Sequence, residues 1–206
     1  MEIIDCAQNS PEWYAARAGI VTASNLKTVL ASGRGGTESK TRRSYLNRLA
    51  AEIITGEPLE SFSNRHTERG HALEPEARDY YAFLHGAEPK TVGFVRNGPK
   101  GCSPDSFVGE AGLLEIKTQR GDLLIDTLLA DRFPSEFKAQ VQGQLWICER
   151  EWCDLLVYWP GMPPFIRREF REPGYIIQLA DAVDQFNDEL QGVVEKIRSY
   201  GMKRAA

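Results

Sequence analysis

Hydrophobic residues in the first third of the chain recur every three or four positions, which is the spacing of amphipathic helices. Ser10 and Pro11 predict the start of a first helix that runs to about residue 17, because serine caps helices and proline suits their first turn. Thr22 or Ser24 is the expected cap of a second helix. Two longer helices are predicted over residues 38–54 and 67–84.

After residue 88 the pattern changes to short apolar segments bounded by glycine, which are typical of β-strands. Ser135 is the expected cap of a further helix that runs to about residue 148, and an amphipathic helix is predicted over residues 176–200. The predicted strands are residues 91–95, 105–108, 113–117, 152–159 and 164–170.

This order of elements predicts an α+β domain of the mixed α/β kind, with a central, mainly antiparallel or mixed sheet flanked by helices. We expect residues 1–206 to form a single domain. Its parts are N-terminal helices over residues 10–85, a core sheet with its helix over 88–170, and a C-terminal helix over 174–200.

The composition is that of a globular protein, with 42% hydrophobic and 26% charged residues. No apolar run approaches the ~20 residues that a membrane-spanning helix needs, and the N-terminus lacks the pattern of a secretory signal. We therefore expect a cytoplasmic protein without membrane contact. The formal net charge of −4 argues against a protein that binds nucleic acid through bulk positive charge.

The cysteines and histidines argue against several kinds of metal site. The 4 cysteines form no CxxC pair, so reduced thiols packed in the core are expected rather than a zinc or iron–sulfur site. The 3 histidines show no HxxxH pattern, which argues against a zinc hydrolase. The cysteines are Cys6, Cys102, Cys148 and Cys153.

A different kind of site is predicted around Glu115 and Lys117. On a strand these two side chains share one face, and the carbonyl of Ile116 lies beside them. Asp105 begins the preceding strand, and the glycines between the two strands allow a hairpin that brings Asp105 next to Glu115. The apolar neighbours of Glu115 indicate a largely buried strand, where a charge without a partner or ligand is costly.

Two carboxylates and a carbonyl form a hard oxygen site suited to Mg²⁺ or Mn²⁺. A cation there would lower the pKa of an attacking water, and a lysine on the same face would neutralise the charge of a phosphoryl transition state. This is the chemistry of phosphodiester hydrolysis. A Glu-x-Lys pair taken alone is more often two solvent-facing charges on an exposed strand.

The spacing PD-x9-ExK, which runs from Pro104 to Lys117, resembles that of the PD-(D/E)xK nuclease superfamily. Three further segments resemble the phage λ exonuclease-like (YqaJ-type viral recombinase) family, in the order that the family has them. They are SPEWYAARAGIVTAS at residues 10–24, RGHALEPEAR at 69–78 and AQVQGQLW at 139–146. The matching residues are Trp13, Arg17, Gly19, Thr22, Ala23, Ser24, Glu74, Gln140 and Gln142. The resemblance implies the restriction-endonuclease-like core of that superfamily.

The resemblance also implies roles for the acidic residues. Asp105, Glu115 and the carbonyl of Ile116 would hold a first metal ion. Glu74 would support a second ion or its waters from its helix. Glu76 and Asp79 lie on the same helix, and spacing alone does not choose among the three.

Two further residues of the cluster receive roles from the resemblance. Lys117 would position the nucleophilic water. Gln140 would hydrogen-bond near the scissile phosphate or fix Lys117.

A pocket for the 5′-terminal phosphate is implied by the same resemblance. Arg17 would bind the phosphate, because its planar guanidinium pairs with two phosphate oxygens at once, and Ser24 and Ser103 would complete the pocket. The alternative for Arg17 is an arginine that interacts with the dipole at the end of its helix.

A basic stretch over residues 27–48 contains a single acidic residue, Glu38, and is expected to contact the backbone of duplex DNA. A solvated helix face is the alternative. The predicted DNA-binding residues are Lys27, Arg34, Lys40, Arg42 and Arg43.

Taken together, the resemblance implies a metal-dependent 5′→3′ exonuclease of double-stranded DNA that releases mononucleotides and leaves a 3′ single-stranded overhang for strand annealing. It implies Mg²⁺ as cofactor, replaceable by Mn²⁺, with two ions in each active site. It also implies a ring-shaped homotrimer and a single-strand annealing partner, in a protein encoded by a phage or prophage and acting in the cytoplasm of a bacterial host.

Two alternatives remain at the level of sequence. Another PD-(D/E)xK endonuclease, of the restriction or repair type, would share Asp105, Glu115 and Lys117 but would not need Arg17. A catalytically silent DNA-binding module would not need the three charged residues at all.

Overall fold

Helices form the first part of the chain, and two β-sheets form its middle. The structure is a computed structural model, and it describes residues 1–33, 39–59 and 65–200. The helices are α1 (Pro11–Arg17), α2 (Leu26–Val29), α3 (Lys40–Thr55), α4 (Arg65–His85), α5 (Gly121–Ala130), α6 (Lys138–Ile147) and α7 (Pro173–Arg198). The strands are β1 (Glu2–Ile4), β2 (Val21–Thr22), β3 (Phe94–Asn97), β4 (Lys100–Cys102), β5 (Ser106–Val108), β6 (Gly112–Thr118), β7 (Trp152–Tyr158) and β8 (Phe165–Phe170).

The helices predicted in the first part of the chain are confirmed with one change. The Ser10 hydroxyl caps α1 by accepting a hydrogen bond from the backbone N–H of Trp13 at 3.2 Å. In place of a second helix capped by Thr22 or Ser24, residues 23–25 form a 3₁₀ turn that leads into the short α2. The Thr22 hydroxyl does not cap this turn, since it accepts a hydrogen bond from the Asn25 side chain instead.

The sheet architecture is of the predicted mixed type, but it comprises two sheets rather than one central sheet. The first has the order β1-β3-β4-β2 and the second the order β5-β6-β7-β8. Each contains one parallel pair, β2 with β4 and β6 with β7. The strands β1, β2 and β4 were not predicted, because strands of 3, 2 and 3 residues are too short to show an alternating pattern.

The predicted hairpin before Glu115 is confirmed as the antiparallel pair β5–β6. Ser106 lies opposite Leu114 and Val108 lies opposite Gly112. Continuing this register by one residue places Asp105 opposite Glu115. The chain reverses direction through Gly109, which has a φ of 57°.

The segment between β6 and β7 differs from the prediction. The helix α5 was missed because several of its apolar side chains face outward, as Leu129 does with 80% exposure. Ser135 lies in a 3₁₀ turn, and α6 begins at Lys138 without a side-chain cap. The parallel pairing of β6 and β7 requires this long connection, which places α6 against the strands.

The largest core cluster lies between α2, α3, α6 and α7. Five buried residues of α7 at helical spacing, Leu179, Val183, Phe186, Leu190 and Val194, form one side of it. As predicted, the cysteines are free thiols, and Cys102, Cys148 and Cys153 are buried while Cys6 is half-buried. Within the described ranges, none of the helices has the length and apolar character to cross a membrane.

A substitution at Gly93 tests how tightly the N-terminal segment packs beside β3. A Cβ atom at Gly93 would lie 2.5 Å from the carbonyl oxygens of Ile4 and Cys6, and backbone atoms cannot give way easily. We expect Gly93→Ala to lower the free energy of unfolding by about 1–3 kcal/mol in chemical denaturation. Gly174→Ala is the control, since nothing lies within 4 Å of that position. An unchanged stability of Gly93→Ala would contradict the packing.

Candidate active site

A buried carboxylate forms the centre of the site. Glu115, in the middle of β6, is only 3% exposed, and its strand neighbours Leu114 and Ile116 are also buried. Lys117 extends from the same face, as predicted, and its Nζ lies 2.6 Å from Glu115 Oε1. Glu115 and Lys117 therefore form an ion pair among the apolar side chains of this strand.

Asp105 completes the acidic pair from the neighbouring strand. Its Oδ2 accepts a hydrogen bond from the backbone N–H of Ile116 at 2.5 Å. The strand β5 begins at Ser106, opposite Leu114, so it does not extend far enough to pair with the N–H of Ile116. Desolvation, and then the charges of Glu115 and Glu74, raise the pKa of Asp105 well above its ordinary value. Burial and the neighbouring charges therefore both favour the protonated form of Asp105 when no cation is bound.

Glu115 is held by two glutamines of α6. Gln140 Nε2 donates to Glu115 Oε1 at 2.5 Å, and Gln144 Nε2 donates to Glu115 Oε2 at 2.6 Å. Residues four apart lie on one face of a helix, so α6 presents both amides to the same carboxylate. The oxygens of Glu115 keep further lone pairs for a ligand.

Lys117 is positioned to act as a cation. Its Nζ donates to Gln140 Oε1 at 3.2 Å in addition to its contact with Glu115. Burial disfavours the charged form, but Glu115 and Asp105 outweigh it and raise the pKa of Lys117 above its ordinary value. Lys117 therefore stays protonated at neutral pH and supplies charge and a hydrogen bond rather than a base.

The geometry distinguishes among the carboxylates of α4. Glu74 lines a pocket together with Asp105, and its Oε1 lies 3.0 Å from His71 Nδ1. Glu76 instead accepts a hydrogen bond from the Tyr158 hydroxyl at 2.5 Å. Asp79 is exposed. Among Glu74, Glu76 and Asp79, Glu74 is thus the one that shares a pocket with Asp105.

A second pocket adjoins the acidic cluster. Arg17, Ser24 and Ser103, the three residues predicted to bind a phosphate, all line this cavity of about 160 Å³. Gln140 and Gln144 lie in its wall, so the pocket and the acidic cluster share α6. The three predicted residues come from different parts of the chain, and the fold brings them together.

Arg17 is fixed inside this pocket by Trp13. Its guanidinium lies 3.9 Å from the centre of the Trp13 ring, and the residue is 8% exposed. Trp13 Nε1 in turn donates to the Ser103 hydroxyl at 2.8 Å. A buried guanidinium beside hydroxyl groups is suited to an oxyanion such as phosphate.

The predicted DNA-binding residues do not all lie on one surface. Lys27 and Lys40 are exposed, and Lys40 lines a groove with Arg48. Arg43 is exposed as well. Arg34 lies outside the described residues.

Arg42, which was also predicted to bind DNA, makes contacts within the chain. Its guanidinium forms two hydrogen bonds with Glu189 of α7, at 2.7 and 3.0 Å, and its Nε donates to the carbonyl of Val29. It also lies 5.0 Å from the ring of Phe186. Arg42 therefore joins α3 to α7. Spacing along α3 could not reveal this contact, because its partner lies 147 residues away.

Sequence reasoning missed two side chains. Gln144 was not singled out, although its spacing from Gln140 places it on the same helix face. Gln142, which belongs to the matching segment, points away from the site instead. It donates to the carbonyl of Phe170 and accepts from the backbone N–H of Glu172. Gln8 lines both pockets and donates to the carbonyl of Pro104, next to Asp105, and no pattern marks it.

The donor set fits a divalent cation with a partly open coordination sphere. No three His, Cys, Asp or Glu side chains in the described part of the chain are arranged to hold a metal ion. Two carboxylates, Asp105 and Glu115, and the carbonyl of Ile116 are available, and such a set suits Mg²⁺ because that ion keeps several waters.

Comparisons with known proteins agree with this geometry. The family model of the YqaJ-like viral recombinase domain matches residues 12–151. A search of curated protein sequences found no match.

Solved structures are similar over nearly the whole chain. The crystal structure of the alkaline exonuclease LHK-Exo from Laribacter hongkongensis has a TM-score of 0.84 and 31% identity, and the match covers 94% of this chain and 99% of that chain. Its complex with dAMP has a TM-score of 0.85 at 31% identity and covers 96% and 100%. A phage-related exonuclease from Haemophilus somnus 129PT has a TM-score of 0.66 over 86% and 96% of the two chains. Its identity of 14% shows the fold alone.

The raised pKa of Asp105 predicts that this carboxylate destabilises the metal-free protein. The folded state binds its proton more tightly than the unfolded state, so stability falls as the pH rises above the ordinary carboxyl pKa of about 3.9. Asp105→Asn removes this pH-dependent loss of stability, because asparagine carries no carboxyl proton. Its amide oxygen can still accept the hydrogen bond from the backbone N–H of Ile116. We expect its thermal midpoint in EDTA at pH 7 to exceed that of the wild type by about 2–4 °C, or roughly 1 kcal/mol.

The difference in thermal midpoint between Asp105→Asn and the wild type should become smaller as the pH is lowered towards 4. Glu110→Gln is the matched control, because Glu110 is an exposed carboxylate in the turn of the same hairpin. A variant Asp105→Asn that is less stable than the wild type at pH 7 would refute the interpretation.

Proposed function

Since the chain belongs to the YqaJ-like viral recombinase domain family, we propose that it is a metal-dependent 5′→3′ exonuclease of double-stranded DNA. It hydrolyses one strand, releases mononucleotides and leaves a 3′ single-stranded overhang. The observation that carries the proposal is the pair of α6 amides, Gln140 and Gln144, that line the pocket of Arg17 and Ser103 and also bond to Glu115 of the acidic cluster. An enzyme that cuts next to a strand end needs these two functions side by side.

Arg17, Ser24 and Ser103 would bind the terminal phosphate and so place the next phosphodiester bond against the acidic cluster. Arg17 suits this role because its planar guanidinium offers paired donors and is held in one orientation by Trp13. Binding the end in this way orients the substrate before reaction, which lowers the entropic cost of the chemical step.

The acidic cluster would perform the hydrolysis. Asp105, Glu115 and the carbonyl of Ile116 would hold a Mg²⁺ ion, for which Mn²⁺ could substitute, and Glu74 would support a second. A cation bound there supplies Lewis acidity and lowers the pKa of an attacking water. Lys117, being protonated, orients that water and offsets the charge that develops on the phosphoryl oxygens.

A relative supports the proposed product, and the proposed partners extend the family resemblance. The complex of LHK-Exo with dAMP supports the release of mononucleotides. We extend the proposal to a homotrimeric ring around DNA and a single-strand annealing partner, in a phage- or prophage-encoded protein of the bacterial cytoplasm. A ring would also reduce the need for bulk positive charge, in keeping with a net charge of −4.

An endonuclease of the same superfamily is the second candidate, since the acidic cluster alone would serve either reaction. The pocket around Arg17 favours the exonuclease, because an enzyme that cuts internal bonds has no terminal phosphate to bind.

Digestion of a linear duplex, labelled separately at each end, beside a closed circle tests the proposal. We expect loss of the 5′ label first, mononucleotide products, an intact circle, and faster digestion of 5′-phosphorylated than of 5′-hydroxyl ends. Arg17→Ala should reduce that preference at least about tenfold, because charged hydrogen bonds contribute about 1.5–3 kcal/mol. Arg96→Ala, at an exposed arginine of β3, is the control. Cleavage of the circle would favour the endonuclease.

Lys117→Ala tests the chemical role of the lysine. We expect a loss of about 10²–10³-fold in kcat at saturating Mg²⁺, because removing one preorganised charge from a transition state has effects of this size. The affinity for the duplex end, measured by fluorescence anisotropy in Ca²⁺, should change little. Lys138→Ala, which removes a surface pair with Glu172, is the control. Wild-type kcat in Lys117→Ala would refute the assignment.

A further inference from the structure

We propose that Gln144 is a positioning residue that couples occupation of the terminal-phosphate pocket to the placement of Glu115. This inference rests on the function proposed above and names a relay within the same site. Three observations carry it: the burial of the Gln144 side chain, its bond to Glu115, and the oxygen that it leaves without a partner.

The amide of Gln144 has one possible orientation. Gln144 is 1% exposed, and its amide lies 2.6 Å from Glu115 Oε2. A carboxylate oxygen accepts hydrogen bonds and would repel another acceptor, so the amide must present its NH₂ group to Glu115. The carbonyl oxygen is thereby directed away from the carboxylate.

That oxygen, Gln144 Oε1, is buried and receives no hydrogen bond from the described residues. A buried acceptor without a donor costs free energy, and such groups in native proteins have an explanation in ligands or water. Gln144 lines the cavity that also contains Arg17 and Ser103. Because Gln144 borders this cavity, we assign the missing donor to a molecule bound there.

A water molecule that hydrates the bound terminal phosphate fits this requirement. Phosphate oxygens and an amide oxygen are both acceptors, so they cannot bond to each other directly. One water can donate to each of them, and bridging waters of this kind are nearly as good as direct hydrogen bonds. The relay then runs from the phosphate through the water and the Gln144 amide to Glu115 Oε2.

The relay gives the 5′-phosphate a second effect beyond affinity. Arg17 and Ser103 determine how tightly the end is held, whereas Gln144 determines how firmly Glu115 is held once the end is bound. Gln140 holds the other oxygen of Glu115 and also contacts Lys117, so it serves the cluster whether or not the pocket is filled. The 5′-phosphate should therefore raise kcat as well as lower KM.

The pair Gln144→Met and Gln142→Met separates this role from helix stability. Both residues are 1% exposed and lie on α6, and methionine keeps the volume of glutamine without its hydrogen bonds. Gln142 bonds to Phe170 and Glu172, away from the site. A loss of kcat in both variants would indicate a packing effect. A loss of kcat in Gln144→Met alone would indicate the relay.

The kinetic test compares matched duplexes with 5′-phosphate and 5′-hydroxyl ends. For Gln144→Met we expect kcat on the phosphorylated end to fall about tenfold, to the value for the hydroxyl end, while the difference in KM between the ends persists. Gln142→Met should keep both the kcat ratio and the KM ratio of the wild type. A wild-type kcat ratio in a folded Gln144→Met would overturn the proposal.

A test independent of activity uses the side-chain NH₂ resonances in ¹⁵N spectra of the metal-free protein. The Gln144 signal, identified by its absence in Gln144→Met, should shift on addition of a 5′-phosphorylated oligonucleotide and not of its 5′-hydroxyl counterpart. Binding that depends on Arg17 but leaves this signal unmoved would overturn the relay. A moving signal in a protein that digests no DNA would instead contradict the proposed function and leave the relay supported.

Discussion

Glu115 places a negative charge inside an apolar strand, and much of the surrounding structure depends on satisfying that charge. An unpaired carboxylate at 3% exposure would be strongly destabilising. Three groups prevent this, namely the Lys117 ammonium and the amides of Gln140 and Gln144. Because two of them come from α6, that helix is bound to the strand by polar contacts as well as by packing. A shift of α6 would leave the carboxylate without its partners.

The same helix connects two chemically different pockets. One is acidic, and burial together with the charges of neighbouring carboxylates raises the pKa of Asp105. The other contains a buried guanidinium held flat against Trp13. The Arg17 guanidinium and the Glu115 carboxylate thus lie on either side of the Gln140 and Gln144 amides. An amide is neutral, and it can donate to one side while it accepts from the other. This arrangement suits a substrate that is anionic along its whole length.

Local patterns in the sequence predicted the parts of the fold that local forces determine. The Ser10 cap, the hairpin before Glu115 and the amphipathic α7 all follow from periodicity and turn residues. Long-range contacts were not accessible in this way, as with Arg42, whose partner Glu189 lies far along the chain. The division into two sheets depends on strands too short to show a pattern. For the site, the hairpin spacing predicted that Asp105 lies beside Glu115, and the family resemblance supplied Arg17 and Ser103. The contact of Gln144 with Glu115 depends on the rotation of α6, which only packing determines.

The crossover that joins the parallel strands β6 and β7 has a consequence for how the protein assembles. The bond between Asp105 and Ile116 spans 11 residues, those from Gln140 and Gln144 to Glu115 span 25 and 29, and that from Trp13 to Ser103 spans 90. Closing a longer loop costs more chain entropy, although the cost rises slowly with loop length. The contacts of the acidic cluster therefore carry a smaller closure cost than the contact between Trp13 and Ser103. Of these four contacts, the one that orders the pocket around Arg17 thus costs the chain the most entropy to form.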